Sequence, residues 1–282
     1  MRTRGPIDPE RLEEYLRSSR DPAANLESLE PLGGTDQDVK AYGYGQPMLV
    51  RYTVGDRVRE IVVRTAAPDP FGHDRRADRV GALVLDYDTF GTMPRHIEAL
   101  DVGVLDAEGS LVSLPPGEPF LITDYVEGRL YAVDLREQAG ADRPDSRALD
   151  RVRALARYLV ELHRDPRDPD GYTRDLRDTI GHGEGIFGLA DSYPADDRVA
   201  PPSRLESLEV AAVRHRWKLA SGKDRARRTH GDFHPFNLLF REGTDFTVLD
   251  CSRGGAGEPA DDVTCLSINY PFFALLEHGT FT

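Results

Sequence analysis

Two histidines, an aspartate and an asparagine fall within eight positions, His230 to Asn237, of the stretch RTHGDFHPFNLLF. Side chains of these types can ligate a metal, form a catalytic loop or close an ordinary turn. Zinc needs three or four imidazole, thiolate or carboxylate ligands held by regular elements. His230 and His234 would share a helical face, but Gly231 and Pro235 oppose a helix there. A catalytic loop accounts for more of the residues. Asp232 is followed five residues on by Asn237, then by the apolar run LLF, then by FTVLD ending at Asp250. A loop that runs into a hairpin with a second carboxylate at its end is the set that phosphoryl transfer from a nucleotide requires. Asp232 would orient and deprotonate an acceptor hydroxyl, while Asn237 and Asp250 would offer oxygen ligands to the magnesium that bridges the phosphates.

Such a loop has to be held by a folded chain, and 282 residues with 39% apolar and 30% charged side chains suffice for one large domain or two small ones. The net charge of −13 argues against a nucleic-acid partner, which calls for a basic face. Neither a long uncharged apolar run nor an apolar leader core is present, so no membrane association is expected and the cytoplasm is the expected location. Cys251 and Cys265 are too few for a zinc site and are expected as buried thiols.

Periodicity predicts a helix over Pro9 to Ser18 with Leu12, Tyr15 and Leu16 on one face. MLVRYTVGDRVREIVVRT reads as a hairpin turning at Gly55-Asp56, and DAEG, Asp106 to Gly109, as the turn of a second. His73 to Tyr87 is expected as a helix and PFLITDYV, Pro119 to Val126, as a buried strand. Beyond Gly128 the pattern turns helical. Leu149, Val152, Leu155, Leu159 and Leu162 mark one helix face, stopped by Asp165-Pro166. Asp165 to Pro202 reads mostly as loop, and SRLE, Ser203 to Glu206, as a capping box opening a helix to about Ala220. A strand-rich first part, a hinge near Tyr125 to Gly128 and a helical second part imply two lobes.

HGDFHPFN resembles the catalytic loop of the aminoglycoside phosphotransferase and choline kinase-like family, whose pattern is His-Gly-Asp, four residues, Asn. VLD resembles that family's metal-binding strand end, GEPADDV the segment after it, ALARYLVELHR the helix before the loop, and FLITDYVEG the hinge strand. The resemblance implies an α+β, bilobal protein-kinase-like fold. Residues 1–124 would form an N-lobe of antiparallel sheet and helix, and residues 125–282 a mainly helical C-lobe in which the family commonly continues with more helices. It implies Asp232 as catalytic base, Asn237 and Asp250 as magnesium ligands, His230 as a structural tie and Asp262 as a brace. Backbone groups of Asp124, Tyr125 and Val126 would hold the purine, and Gly33, Gly34 and Thr35 would cover the phosphates. Arg64 stands where kinases use a strand lysine, with Asp78 preferred over Asp74 and Asp86 as its acidic partner. GHGEGIFG lacks the preceding strand and following acidic residue of a dinucleotide loop. It lies between two C-lobe helices where such kinases build the acceptor pocket, so the resemblance makes His182 and Glu184 candidate acceptor contacts.

The implied activity is transfer of the γ-phosphate of Mg-ATP or Mg-GTP to a hydroxyl of a small molecule, whether aminoglycoside-like, sugar or amino alcohol. Arg64 and the unorthodox glycine loop leave open a non-catalytic nucleotide-binding module. Adenylyl transfer on the same fold and a purely structural role stay open as well.

Overall fold

The computed structural model describes residues 7–32, 47–69, 72–115, 117–139, 143–251 and 255–279. The chain separates into two compact units, Met1–Leu121 and Ile122–Thr282.

The first unit opens with helix α1 (Pro9–Ser19), whose N-terminus is capped by the Asp8 carboxylate accepting the Glu10 and Arg11 N–H groups at 3.0 and 3.1 Å. Leu12 and Leu16, one helical turn apart, are fully buried against Ala24, Val50 and Tyr52. Those three lie on an antiparallel sheet of β1 (Ala24–Pro31), β2 (Met48–Val54) and β3 (Arg57–Val63) in that order. Val54 pairs with Arg57, so Gly55 and Asp56 form a two-residue turn, and Gly55 takes the left-handed backbone, φ +58°, that such turns need. Strand β1 escapes the sequence reading because ANLESLEP carries no β-branched residue. Helix α2 (Arg76–Phe90) follows, and β4 (Gly103–Leu105) pairs with β5 (Leu111–Ser113) around the expected turn. There Asp106 accepts the Glu108 and Ser110 N–H groups at 3.0 and 2.8 Å.

The expected strand Pro119–Val126 is not formed. Phe120, Leu121, Ile122 and Tyr125 are 82–90% exposed. A strand exists through its hydrogen-bonded neighbour, and among the described residues none runs alongside this apolar segment.

The second unit contains β6 (Arg129–Leu130) and helices α3 (Tyr131–Ala139), α4 (Ser146–Leu162), α5 (Pro169–Gly181), α6 (Ile186–Asp191) and α7 (Pro202–Leu219). The hairpin of β7 (Leu238–Phe240) and β8 (Phe246–Val248) and the long helix α8 (Pro259–His278) complete it, with β7 central in the sheet β6-β7-β8. The core joins Tyr131, Leu155, Leu159, Phe233, Phe240 and Phe273. Arg151 is buried within it: its guanidinium pairs with Asp134, lies 4.4 Å from the Phe240 ring centre and donates to the Gly243 and Arg241 carbonyls at 3.0 and 3.2 Å. This clamps the turn of the β7–β8 hairpin.

Three expectations need correction here. Asp165 to Pro202 is not mostly loop, since α5 and α6 occupy much of it. Tyr172, Leu176 and Ile180 make a buried stripe four residues apart, hidden in the sequence by the interleaved Asp175 and Asp178, which are themselves buried. Helix α7 begins at Pro202 with no side-chain cap, so Ser203–Glu206 is no capping box: the chain is already helical at Ser203. Leu149 and Val152 are partly exposed rather than on the buried face of α4, where Arg151 points inward instead. Among the described residues no helix is long and apolar enough to cross a membrane.

Candidate active site

The loop from Thr229 to Asn237 is buried for much of its length, so its backbone donors need partners. Asp262, in the first turn of α8 and fully buried, supplies two of them. Its Oδ2 accepts the His230 N–H and its Oδ1 the Gly231 N–H, both at 2.9 Å. His163, capping the end of α4, places Nε2 2.9 Å from the same Oδ2. Gly231 has φ +81°, a conformation that suits glycine and lets both N–H groups face one carboxylate. His230 uses both ring nitrogens: Nδ1 accepts the Asp232 N–H at 3.3 Å, which leaves Nε2–H to donate to the Leu249 carbonyl at 2.7 Å. The neutral imidazole therefore ties the start of the loop to the end of the β7–β8 hairpin.

Asn237 ties the other side. One terminal atom of its amide lies 3.0 Å from both the Asp232 carbonyl and Asp232 Oδ2. Two acceptors at that distance identify it as the nitrogen. The amide oxygen then has no donor among the described residues. The Leu249 N–H donates to the Asn237 carbonyl at 2.8 Å, extending the hairpin ladder, and Asp250 follows at once. Asp250 is exposed, makes no hydrogen bond or ion pair among the described residues and has φ +45°. For a residue with a side chain that backbone costs about 1 kcal/mol, an outlier of the kind that gathers at functional sites.

These residues fit magnesium better than zinc. No group of three His, Cys, Asp or Glu side chains that could hold a metal forms among the described residues. Magnesium, by contrast, needs only one or two protein oxygens beside phosphates and water. The Asn237 amide oxygen and the unpaired Asp250 carboxylate, at the two ends of one hairpin, are two such oxygens that could hold it. A cavity of about 600 Å³ beside Asp250 is lined by Tyr158, Arg167, Arg228, His230 and Cys251 among others. Contrary to expectation Cys251 is exposed and Cys265 half-buried, because Cys251 lies in the loop beyond β8 rather than under a core face. Partial burial, and then the Asp262 carboxylate, push the Cys251 thiol above its ordinary value.

The other anticipated residues lie elsewhere. Arg64 is exposed just beyond β3. Asp78 is not placed as its partner, because its carboxylate accepts the Arg75 N–H at 2.8 Å and caps α2. Asp124, Tyr125 and Val126 lie outside any helix or strand. Gly33, Gly34 and Thr35 fall outside the described residues. His182 follows α5, its Nδ1 accepting the Glu184 N–H at 3.2 Å, and among the described residues no hydrogen bond or ion pair links either residue to Asp232, Asn237 or Asp250. Sequence reasoning passed over His163 and gave His234 no role except as a metal ligand. His234 sits with Nε2 3.2 Å from Asp232 Oδ2.

Known proteins share parts of this chain. Stress response kinase A of Salmonella choleraesuis (strain SC-B67) is 30% identical over 110 residues, 38% of this chain and 32% of that protein. The serine/threonine protein kinase RdoA of Salmonella typhimurium matches to the same extent. The matched stretch thus spans 32% of the length of these curated relatives. Choline kinase LicA from Streptococcus pneumoniae aligns over 96% of this chain and 77% of its own, at 17% identity and a TM-score of 0.32, too loose a superposition to carry an argument. The model of the phosphotransferase enzyme family matches residues 44–276, well over half of the chain and inclusive of Asp232, Asn237, Asp250 and Asp262. The α+β chain, with its sheet-bearing first unit and mainly helical second, belongs to the phosphotransferase enzyme family.

Proposed function

We propose that the protein transfers the γ-phosphate of a nucleoside triphosphate to a hydroxyl of a small-molecule acceptor. The observation that supports this most directly is the Asp232–Asn237 pair held 3.0 Å apart beside a strand end that carries an unpaired Asp250. In the reaction the acceptor oxygen attacks the γ-phosphorus, the bond from phosphorus to the bridging oxygen breaks, and the nucleoside diphosphate departs. The hydroxyl proton passes to the Asp232 carboxylate, which also aligns the oxygen for in-line attack. Magnesium, when bound, neutralises charge on the phosphates; the Asn237 amide oxygen and Asp250 would hold it. Asp262 and His230 keep the loop in register with the hairpin, so that the base and the metal ligands share one frame.

Other assignments extend this reading along the family resemblance. Residues 1–124 would cover the nucleotide, with Arg64, Gly33, Gly34 and Thr35 toward its phosphates. Residues 125–282 would do the chemistry, with Asp124, Tyr125 and Val126 near the purine. His182 and Glu184 would meet the acceptor. One similar protein is named a serine/threonine protein kinase, so a protein hydroxyl is the second reading for the acceptor.

The test is thermal stability with magnesium and ATP or GTP, in wild type and in Asp250→Asn. A ligand at about a hundred times its dissociation constant adds about 2.7 kcal/mol. A magnesium-dependent shift that Asp250→Asn removes is the expected result, followed by acceptor screening in which ADP or GDP marks phosphoryl transfer and AMP with pyrophosphate marks adenylyl transfer. No shift with either nucleotide overturns the proposal.

A further inference from the structure

His234 takes no part in the chemistry described above, yet the loop fixes it closely. Its N–H donates to the Asp232 carbonyl at 2.9 Å, and its own carbonyl accepts the Asn237 N–H at 2.9 Å. Its ring Nδ1 accepts the Phe236 N–H at 3.1 Å. A nitrogen that accepts carries no proton, so in the neutral ring the hydrogen sits on Nε2. Nε2 is the atom 3.2 Å from Asp232 Oδ2, the same oxygen to which the Asn237 amide donates at 3.0 Å. Asp232 Oδ2 is thus held by the aligned Asn237 N–H and lies in close polar contact with the His234 Nε2 edge, whose N–H is not lined up on it as a hydrogen bond. The other oxygen, Oδ1, has no partner among the described residues, and the Asp232 side chain is 40% exposed.

We propose that His234 is a positioning residue for the base: with Asn237 it holds Asp232 Oδ2 and so leaves Oδ1 as the single oxygen that faces the acceptor hydroxyl. A carboxylate free to rotate offers either oxygen in many orientations, whereas one pinned through Oδ2 presents Oδ1 along one direction. Fixing a reactive group in this way contributes to the rate through orientation rather than through binding. Among the described residues the His234 ring makes no ion pair with any other side chain, and its edge-on neighbour is Phe236 at 5.8 Å between ring centres, so the imidazole is oriented by the loop itself.

The inference rests on the phosphoryl-transfer reading, and its test separates the two. Magnesium-ATP is the probe, with water taking the place of the acceptor, and phosphate release and thermal shift are measured for wild type, His234→Leu, His234→Gln and Asp232→Asn. His234→Leu is expected to lower kcat at least tenfold while KM and the nucleotide-induced thermal shift stay within twofold. His234→Gln, which keeps an N–H donor, is expected to recover much of the loss. A wild type that neither releases phosphate nor shifts with magnesium-ATP overturns the transfer reading and this role with it. An active wild type whose kcat is unchanged in His234→Leu, or whose KM alone rises, overturns the role of His234 only. A crystal structure of His234→Leu gives a check independent of turnover: the Asp232 carboxylate is expected to leave its present orientation, and an unmoved carboxylate overturns the proposal.

Discussion

The α1 and sheet core of the first unit and the His230–Asn237 loop of the second are both buried, by opposite means. In the first, Leu12, Leu16, Val50 and Tyr52 fill space against one another, and no single partner is indispensable. In the second, polar groups answer named partners: Asp262 the His230 and Gly231 N–H groups and His163, His230 the Leu249 carbonyl, and Asn237 Asp232. Apolar packing accepts replacements of similar volume, whereas a polar network with one member removed leaves buried groups without partners. The difference is one of tolerance, and it can be measured.

The largest expected effect lies in the network. Asp232→Asn should lower phosphoryl transfer by about 10²–10⁴-fold while the magnesium-nucleotide thermal shift persists; activity within tenfold of wild type would remove Asp232 as the base. Next, Asp262→Ala should cost about 3–5 kcal/mol in urea unfolding, because it strands two loop N–H groups and His163. A cost below about 1 kcal/mol would mean that water replaces the carboxylate and that the contrast between the two regions is shallow. In the apolar core, Leu16→Met should cost less than about 1.5 kcal/mol by the same measurement, and a larger loss would show that region to be as exacting as the loop. The smallest effect is at Cys251. Its raised thiol value predicts slower iodoacetamide labelling near pH 8 than for a free thiol, with the two converging at more alkaline pH. Because the unfolded chain would lose that proton first, the same shift lowers stability as pH rises through the ordinary thiol range. Labelling that matches a free thiol at every pH would contradict it.

What could be read from the sequence follows the same division. The turn at Gly55-Asp56, the helix from Pro9 and the hairpin around Asp106 obey local rules, and they stand where expected. The spacing of Asp232, Asn237 and Asp250 is also local, since the hairpin joins them directly. Helix α5 was hidden because buried Asp175 and Asp178 interrupt its apolar stripe, and Asp178 is admitted to the interior by Arg174 at 2.6 Å. Pro119–Val126 misled in the opposite sense, apolar in composition but without a strand partner among the described residues. The part of His234 depends on which ring nitrogen the Phe236 N–H meets, and no pattern of residue types encodes that.

Helix α8 carries Pro271 in its interior. Proline has no N–H and crowds the carbonyl four residues back, here that of Ser267. On one side of Pro271 Asp262 grips the start of the His230–Asn237 loop, and on the other Phe273 meets Phe236 near the loop's end, 6.1 Å between ring centres. One continuous helix therefore touches the loop at both ends, with the proline between the two contacts. A substitution at Pro271, which is none of Asp232, Asn237 and Asp250, would therefore act on both ends of the loop at once without altering any group proposed to handle the phosphate.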